Sequence, residues 1–504
     1  MKRLAIIYLL TGLFLFSCGV TDKEQKENGK EFSEAVYSTS KPCVYWWWFA
    51  RKISMKDVRH QLQWLKDNNF GGALIMPIYP LNRLKKDTVN YTPRQEWLSP
   101  EFSAIMQKTK TCADSMGLRL DFIFGTGWPF GDSRVPQEES TQLYTGNGIE
   151  NQRTWSVISW EYPKKGYVLN HLDRDAFKNY AERVGKALSP AVKTGRKSRL
   201  ACDSWEIGEK HPLWKNGFDK LFKERYGYDI LPFMDTLYTG ACPDERYDYF
   251  KLLSEQIITN FYKPFTEKCH ALGALSMVEC CGSPTDIISA YASVDVPQTE
   301  AILYEPYNSL IASSAACMRS KKTVSTEAFT CIYGFRDEHG YEEITTDLKL
   351  LADALFAYGV NHIYWHGMPY NPIGVDTIAY YATVHVTPKS KMSKDFKAFN
   401  KYMEKVCSLL RQGRTYTDIA VYFPQEDAWV QGKYPDSLLN SLHKEQLKWT
   451  WGAYQTRYVK MPEELKGYQP LWINGEMLEK AELKNNKLHT GDAVFSALYI
   501  DVNY

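Results

Sequence analysis

From about residue 43 to residue 367, short apolar runs alternate with segments of helical periodicity, and four of the runs finish on a glutamate. These are Glu206 in RLACDSWEIG, Glu279 in LSMVECC, Glu300 in SVDVPQTE and Glu327 in TVSTEAFT. A carboxylate at the end of a buried strand is costly unless the strand opens into a polar site. In a parallel α/β barrel all strand ends converge on one mouth, and that mouth carries the chemistry. CVYWWWF reads as strand one, GGALIMPI as strand two and LRLDFIFGTG as strand three. RLACDSWEIG, LSMVECC, SVDVPQTE, TVSTEAFT and NHIYWHG supply strands four to eight. After strand one, Met55, Val58, Leu62 and Leu65 recur at helical spacing behind Ser54, a good N-cap. Most of the other strands are also followed by a helical segment. The pattern predicts an α/β fold, a TIM-like (β/α)8 barrel. The helix after strand five is short and poorly marked. Residues 129–170 break the alternation and are expected to form an excursion over the mouth.

The barrel is expected to span residues 41–410. Beyond it, YTDIAVYFP reads as a new buried strand and opens a second α/β domain over 411–504. The final run, FSALYIDVNY, also reads as a strand, and a strand without its partners is unusual. The second domain is therefore expected to be incomplete, as in a C-terminally truncated chain. At the other end, Lys2 and Arg3 precede the apolar stretch Leu4 to Phe16, a signal-peptide shape too short for a comfortable membrane span. Leu15-Phe16-Ser17-Cys18 resembles a bacterial lipobox, which makes residues 1–18 a lipoprotein signal peptide and Cys18 the lipidated residue. Residues 19–40 then form a flexible polar tether. The expected location is the bacterial cell envelope, lipid-anchored to membrane or in the periplasm. Among 504 residues, 44% are apolar, enough for large cores, and the net charge of +2 without a long basic run gives no sign of a nucleic-acid partner. The 11 cysteines show neither a disulfide framework nor zinc-ligand spacing.

Within the predicted barrel, Trp46-Trp47-Trp48 closes strand one, so alternate rings face opposite ways. Trp47 is a candidate sugar platform, although such rings also fill barrel walls. GTGWPFG ends strand three, and its glycines let the backbone approach a ligand beside Trp128. Asp203 and Glu206 lie three apart at the end of strand four, so both reach the mouth only if the strand ends between them. Glycoside hydrolysis needs one carboxyl to protonate the leaving oxygen and a second as base or nucleophile. Strands four and seven lie nearly opposite in an eight-strand ring, which selects Glu206 and Glu327 as the catalytic pair. Asp203, Glu279 and Glu300 are then substrate-binding, with the two glutamates serving as hydroxyl or cation ligands. Asn361 and His366 are placed at the end of strand eight as further substrate ligands. His366 can orient a carboxylate, bind a hydroxyl or simply be structural.

KPCVYWWWF with NNFGGALIMPI, MGLRLDFIFGTGWPFG, GYVLNHLD, DSWEIG with FKERYGYDILPFM, VDVPQTE, STEAFT and LKLLADALFAYGVNHIYWHG occur in this order. In these motifs the chain resembles glycoside hydrolase family 106, the α-L-rhamnosidases. The resemblance covers about residues 40 to 425. It implies a (β/α)8 catalytic barrel, inverting removal of terminal α-L-rhamnose from oligosaccharides or polysaccharides, and a calcium ion at the site. By motif, Glu206 becomes the general acid and Glu327 the general base. Two other readings stay open: a retaining glycosidase with acids after strands four and seven, and a non-catalytic glycan-binding lipoprotein.

Overall fold

The computed structural model describes residues 40–49, 52–78, 95–126, 129–153, 166–207, 211–239, 241–302, 305–334, 342–374, 382–432 and 459–501. Cys18, residues 19–39 of the expected tether and Trp128 lie outside them, while Ser40 at the tether's end is described and buried. Eight parallel strands close into a barrel: β1 (Cys43–Phe49), β2 (Gly72–Ile78), β3 (Arg119–Ile123), β4 (Arg199–Cys202), β5 (Leu275–Glu279), β6 (Val296–Ala301), β7 (Ser325–Ala328) and β8 (His362–Pro369). Each strand pairs with its sequence neighbours, and β1 pairs with β8 to shut the ring. The (β/α)8 expectation holds.

Period two sorts the first strand. Cys43, Tyr45, Trp47 and Phe49 face the barrel interior with Leu74, Met76, Ile123, Ala201, Met277 and Tyr364. Trp46 and Trp48 instead join the larger core under the helices, where Trp46 Nε1 donates to Gln61 Oε1 at 2.8 Å. Gln61 lies on α1 (Met55–Asp67), which starts at Ser54, whose side chain accepts from the Asp57 amide. The ring of helices continues with α2 (Pro100–Ser115), α3 (Arg174–Val192), α4 (Pro243–Ile257) and α5 (Lys263–Ala271). A π-helical turn, Ile258–Tyr262, joins α4 to α5. α6 (Ile287–Ala292) is the short helix after strand five, and α7 (Ser309–Met318), α8 (Thr345–Ala357) and α9 (Phe396–Leu410) follow, while a further helix, Phe218–Tyr226, lies between β4 and α4.

The lower end of the barrel is sealed by charge. Asp121 Oδ2 accepts from Arg119 Nε at 2.8 Å and Tyr364 Oη at 2.5 Å, while Oδ1 accepts from the Arg199 amide at 2.7 Å. Burial pushes the Asp121 carboxyl up, but Arg119, Arg199 and the Tyr364 hydroxyl outweigh it and hold it below the usual range. His362 lies between the two guanidiniums, and burial together with their charge keeps it neutral.

Part of the 129–170 stretch forms a hairpin, Gln142–Thr145 with Gly148–Asn151, that pairs with Leu213–Trp214. It is thus tied to the connection that follows β4, on the mouth side. The second unit has β9 (Ile419–Tyr422) at the centre of a parallel sheet, flanked by β10 (Leu471–Ile473) on one side. An antiparallel sheet of β11 (Glu482–Lys484), β12 (Lys487–Thr490) and β13 (Ala493–Phe495) follows, and β14 (Ala497–Tyr499) returns to pair with β9. Ser496 separates β13 from β14, so only Phe495 of the last run belongs to β13, and β14 within the run has a partner. The unit packs on α7, where Ser314 Oγ accepts from the Trp472 amide at 3.0 Å and the Asp492 amide donates to the Cys317 carbonyl at 2.9 Å.

Asn361 is a correction. It immediately precedes β8, so it sits at the lower end of the barrel, opposite the mouth. Its side chain is engaged there, accepting from the Val324 amide at 2.9 Å and donating to the Lys322 carbonyl at 3.0 Å. It is a backbone clasp between β7 and β8 rather than a substrate ligand.

Candidate active site

β4 ends at Cys202, so Asp203 and Glu206 both lie in the connection beyond it, as a shared place at the mouth requires. Glu279 is the last residue of β5, and the β6–β7 register places Glu300 beside Glu327. One oxygen from each of Asp203, Glu279 and Glu327 lies within 4.8 Å of the others. Glu279, Cys281 and Glu300 form a second grouping on the same criterion. Glu206 belongs to neither. Ser204 connects it to them: the hydroxyl lies 3.2 Å from Glu206 Oε1 and 3.4 Å from Asp203 Oδ1. One hydroxyl carries one proton, so these two contacts are alternatives. The Trp205 amide donates to the Cys281 carbonyl at 3.2 Å and fixes this connection to the end of β5.

The acids are deeply placed, with Glu279 1%, Glu327 4%, Glu300 5% and Glu206 9% exposed. Burial is the main reason that the Glu279 carboxyl is pushed well above its usual range, and Glu327, Asp203 and Glu300 push it further. Burial, then Glu300 and Asp203, do the same to Glu327. Glu279 Oε1 accepts from Tyr45 Oη at 2.8 Å, and Tyr45 in turn accepts from Gln298 Nε2 at 3.0 Å. Glu279 Oε2 has no hydrogen-bond donor among the described residues. Glu327 Oε1 accepts from Thr330 Oγ1 at 3.3 Å and lies 3.5 Å from His366 Nε2. Burial lowers His366 to about 3, with His385 adding to the effect, so its contact with Glu327 is between a neutral ring and an acid. Trp47 faces this interior, donates from Nε1 to the His366 carbonyl at 2.7 Å and stacks against Phe49. Its ring is buried.

The structure thus gathers Asp203, Glu279, Glu300, Glu327 and His366, with Trp47 on the same interior face and Glu206 joined through Ser204. Tyr45, Cys281, Gln298 and Thr330 were not singled out from the sequence. Tyr45 had a signal, since it precedes Trp47 by two and shares its face.

The Asp203–Glu279–Glu327 set suits a hard cation. Two oxygens bound to one calcium at about 2.4 Å lie at most about 4.8 Å apart. The donor-free Oε2 of Glu279 and the crowding of acids fit the same ion.

Residues 163–439 match the sequence profile of the alpha-L-rhamnosidase family of glycoside hydrolases, more than half of the chain. The chain belongs to this family. Among solved structures, a rhamnosidase from Novosphingobium sp. PP1Y superposes with a TM-score of 0.66 at 13% identity, over 93% of this chain and 67% of that one. A beta-galactosidase from Bacillus circulans sp. alkalophilus gives a TM-score of 0.54 at 11% identity, over 86% of this chain and 65% of that one. At these identities the likeness is one of fold. A Formosa agariphila protein named "Putative beta-glucuronidase" is 27% identical over 232 residues, 44% of this chain. The chain spans 19% of that relative's length.

Proposed function

We propose that this member of the alpha-L-rhamnosidase family removes terminal α-L-rhamnose from oligosaccharides or polysaccharides by inverting hydrolysis. The observation that carries the reading is the convergence of Asp203, Glu279, Glu300 and Glu327 at the mouth of a closed barrel, with Glu206 beside them. Glu206 gives its proton to the glycosidic oxygen as the bond to the anomeric carbon breaks. Water attacks that carbon from the opposite face, and Glu327 takes the proton that water loses. Neutral His366 and Thr330 hold the Glu327 carboxylate in place. Tyr45 does the same for Glu279.

Calcium belongs to the proposal, held by Asp203 and Glu279 with Glu327 at its edge. When bound it supplies positive charge that offsets the repulsion among these acids and a coordination point for sugar hydroxyls. The lipid anchor on Cys18 and a cell-envelope location complete the reading. Among the described residues no helix is long and apolar enough to cross a membrane.

The test is a panel of aryl α-L-rhamnoside, β-D-glucuronide and β-D-galactoside, with the first-formed anomer read by NMR. Rhamnoside cleavage with inverted product is expected. Cleavage of the β-glucuronide alone would move the substrate to that sugar, and a retained anomer would remove the inverting mechanism. Calcium added to chelator-treated protein should raise its melting temperature, and Glu279→Gln should abolish the rise.

A further inference from the structure

The second grouping at the mouth differs from the first in one atom type. Glu279 ends β5, and its Cα is level with Gln298 on β6. Two residues further along each chain stand Cys281 and Glu300, so the thiol and the second carboxyl meet side by side above Glu279. Cys281 Sγ lies 3.9 Å from Glu300 Oε2, and one ligand atom from each of Glu279, Cys281 and Glu300 lies within 4.8 Å of the others. All three side chains are buried. Glu279 is common to both groupings, and the feature that calls for a cation in either is that Tyr45 occupies its Oε1 while Oε2 meets no donor among the described residues. A buried acceptor oxygen without a donor is expensive, and a cation satisfies it directly.

A thiolate is a soft ligand that calcium does not select, whereas zinc takes sulfur at about 2.3 Å and carboxylate oxygen at about 2.1 Å. A tetrahedral angle between such bonds separates sulfur from oxygen by about 3.6 Å. The 3.9 Å between Cys281 and Glu300 needs only a few tenths of an ångström of closure, and the Glu279 oxygen, within 4.8 Å of both, moves in to complete the set. Three protein ligands leave the fourth position of the tetrahedron to water.

We propose that Glu279, Cys281 and Glu300 form a binding site for a thiophilic divalent cation of the zinc type, distinct from the all-oxygen set of Asp203, Glu279 and Glu327. Glu279 belongs to both sets, so the two cations compete for its carboxylate. Zinc taken by Cys281 withdraws Glu279 from the oxygen set. On the glycosidase reading above, zinc is therefore an inhibitor that acts through a residue outside the catalytic pair. Binding leaves the oxidation state of the thiol unchanged: the Cys281 proton goes to solvent as the sulfur–metal bond forms.

The test uses cobalt as a spectroscopic stand-in on chelator-treated full-length protein, because thiolate ligation gives an intense near-ultraviolet charge-transfer band. One equivalent of cobalt should produce the band, and zinc should bleach it. Cys281→Ser should lose the band, and Cys280→Ser should keep it. Glu300→Gln should weaken cobalt binding by at least ~10-fold. Circular dichroism confirms that each variant is folded. If Cys281→Ser proves unfolded, Glu300→Gln and zinc competition still decide. A band that survives Cys281→Ser, or the lack of a band in folded wild type, overturns the site. The readout is independent of turnover, so failure of the rhamnosidase reading leaves it interpretable.

Discussion

Glu327 lies in a place where its charge is costly, and catalysis depends on how that cost is managed. Burial and the neighbouring acids favour its protonated form, yet a general base must be ionised. The proposed cation beside Asp203 and Glu279 would reverse that preference, which would link the metal to the base. Glu206→Gln and Glu327→Gln are each expected to lower kcat by at least ~10², the scale of acid/base assistance. Steady-state rates with folded variants check this, and a wild-type rate in either variant removes that residue from the pair. The glutamates were legible in the sequence because an acid that ends an apolar run stands out. Cys281 was not, since in an apolar run it reads as filling, and Tyr45 showed only through the strand face it shares with Trp47. Asn361 was misplaced for a geometric reason. It opens β8 rather than closing it, and the length of one strand separates the floor of a barrel from its mouth.

The barrel strands were readable because each is a compact apolar run followed by a helical stripe. Their boundaries depend on contacts that no single segment reveals. Gly72 is an example. A Cβ there would stand 2.0 Å from the Arg119 carbonyl oxygen, at the β2–β3 seam. Gly72→Ala must therefore push β3 away or break its pairing, at a cost of about 3 kcal/mol or more. Chemical denaturation should show the loss, and a near-wild-type midpoint would mean that the seam yields. At the far end of the chain, FSALYIDVNY reads as one strand because it is rich in apolar and aromatic residues. Ser496 parts Phe495, the end of β13, from β14, and its amide and hydroxyl both turn to Asp418 rather than to a ladder. That contact, between residues 78 apart in sequence, redirects the chain from the antiparallel sheet to β9, a long-range choice that periodicity does not encode.

The two units meet through buried polar groups as well as apolar ones. Asp286 caps α6, and Asn474 donates to both of its oxygens at 2.8 and 2.7 Å. Burial raises Asp286 to about 6, with Glu426 and Glu476 acting in the same direction. Its folded-state value lies above the unfolded one, so its contribution is fully present below about pH 4 and lost as pH rises through about 6. Relative to Asp286→Asn, the wild type should lose about 3 kcal/mol across this window. Paired denaturation curves at several pH values measure it, and a difference that does not vary with pH excludes the group. For the proposed anchor, Cys18→Ala should release the protein from the membrane fraction, and equal solubility of the two forms would remove the lipid. The sealed floor has a kinetic meaning. Arg119, Asp121, Arg199, His362 and Tyr364 fill the lower end of the barrel, so nothing passes through it. A sugar that enters at the mouth must leave by the same door, and the door stays shut to the next substrate until it does. On the proposed glycosidase reading, the free monosaccharide should thus act as a competitive inhibitor.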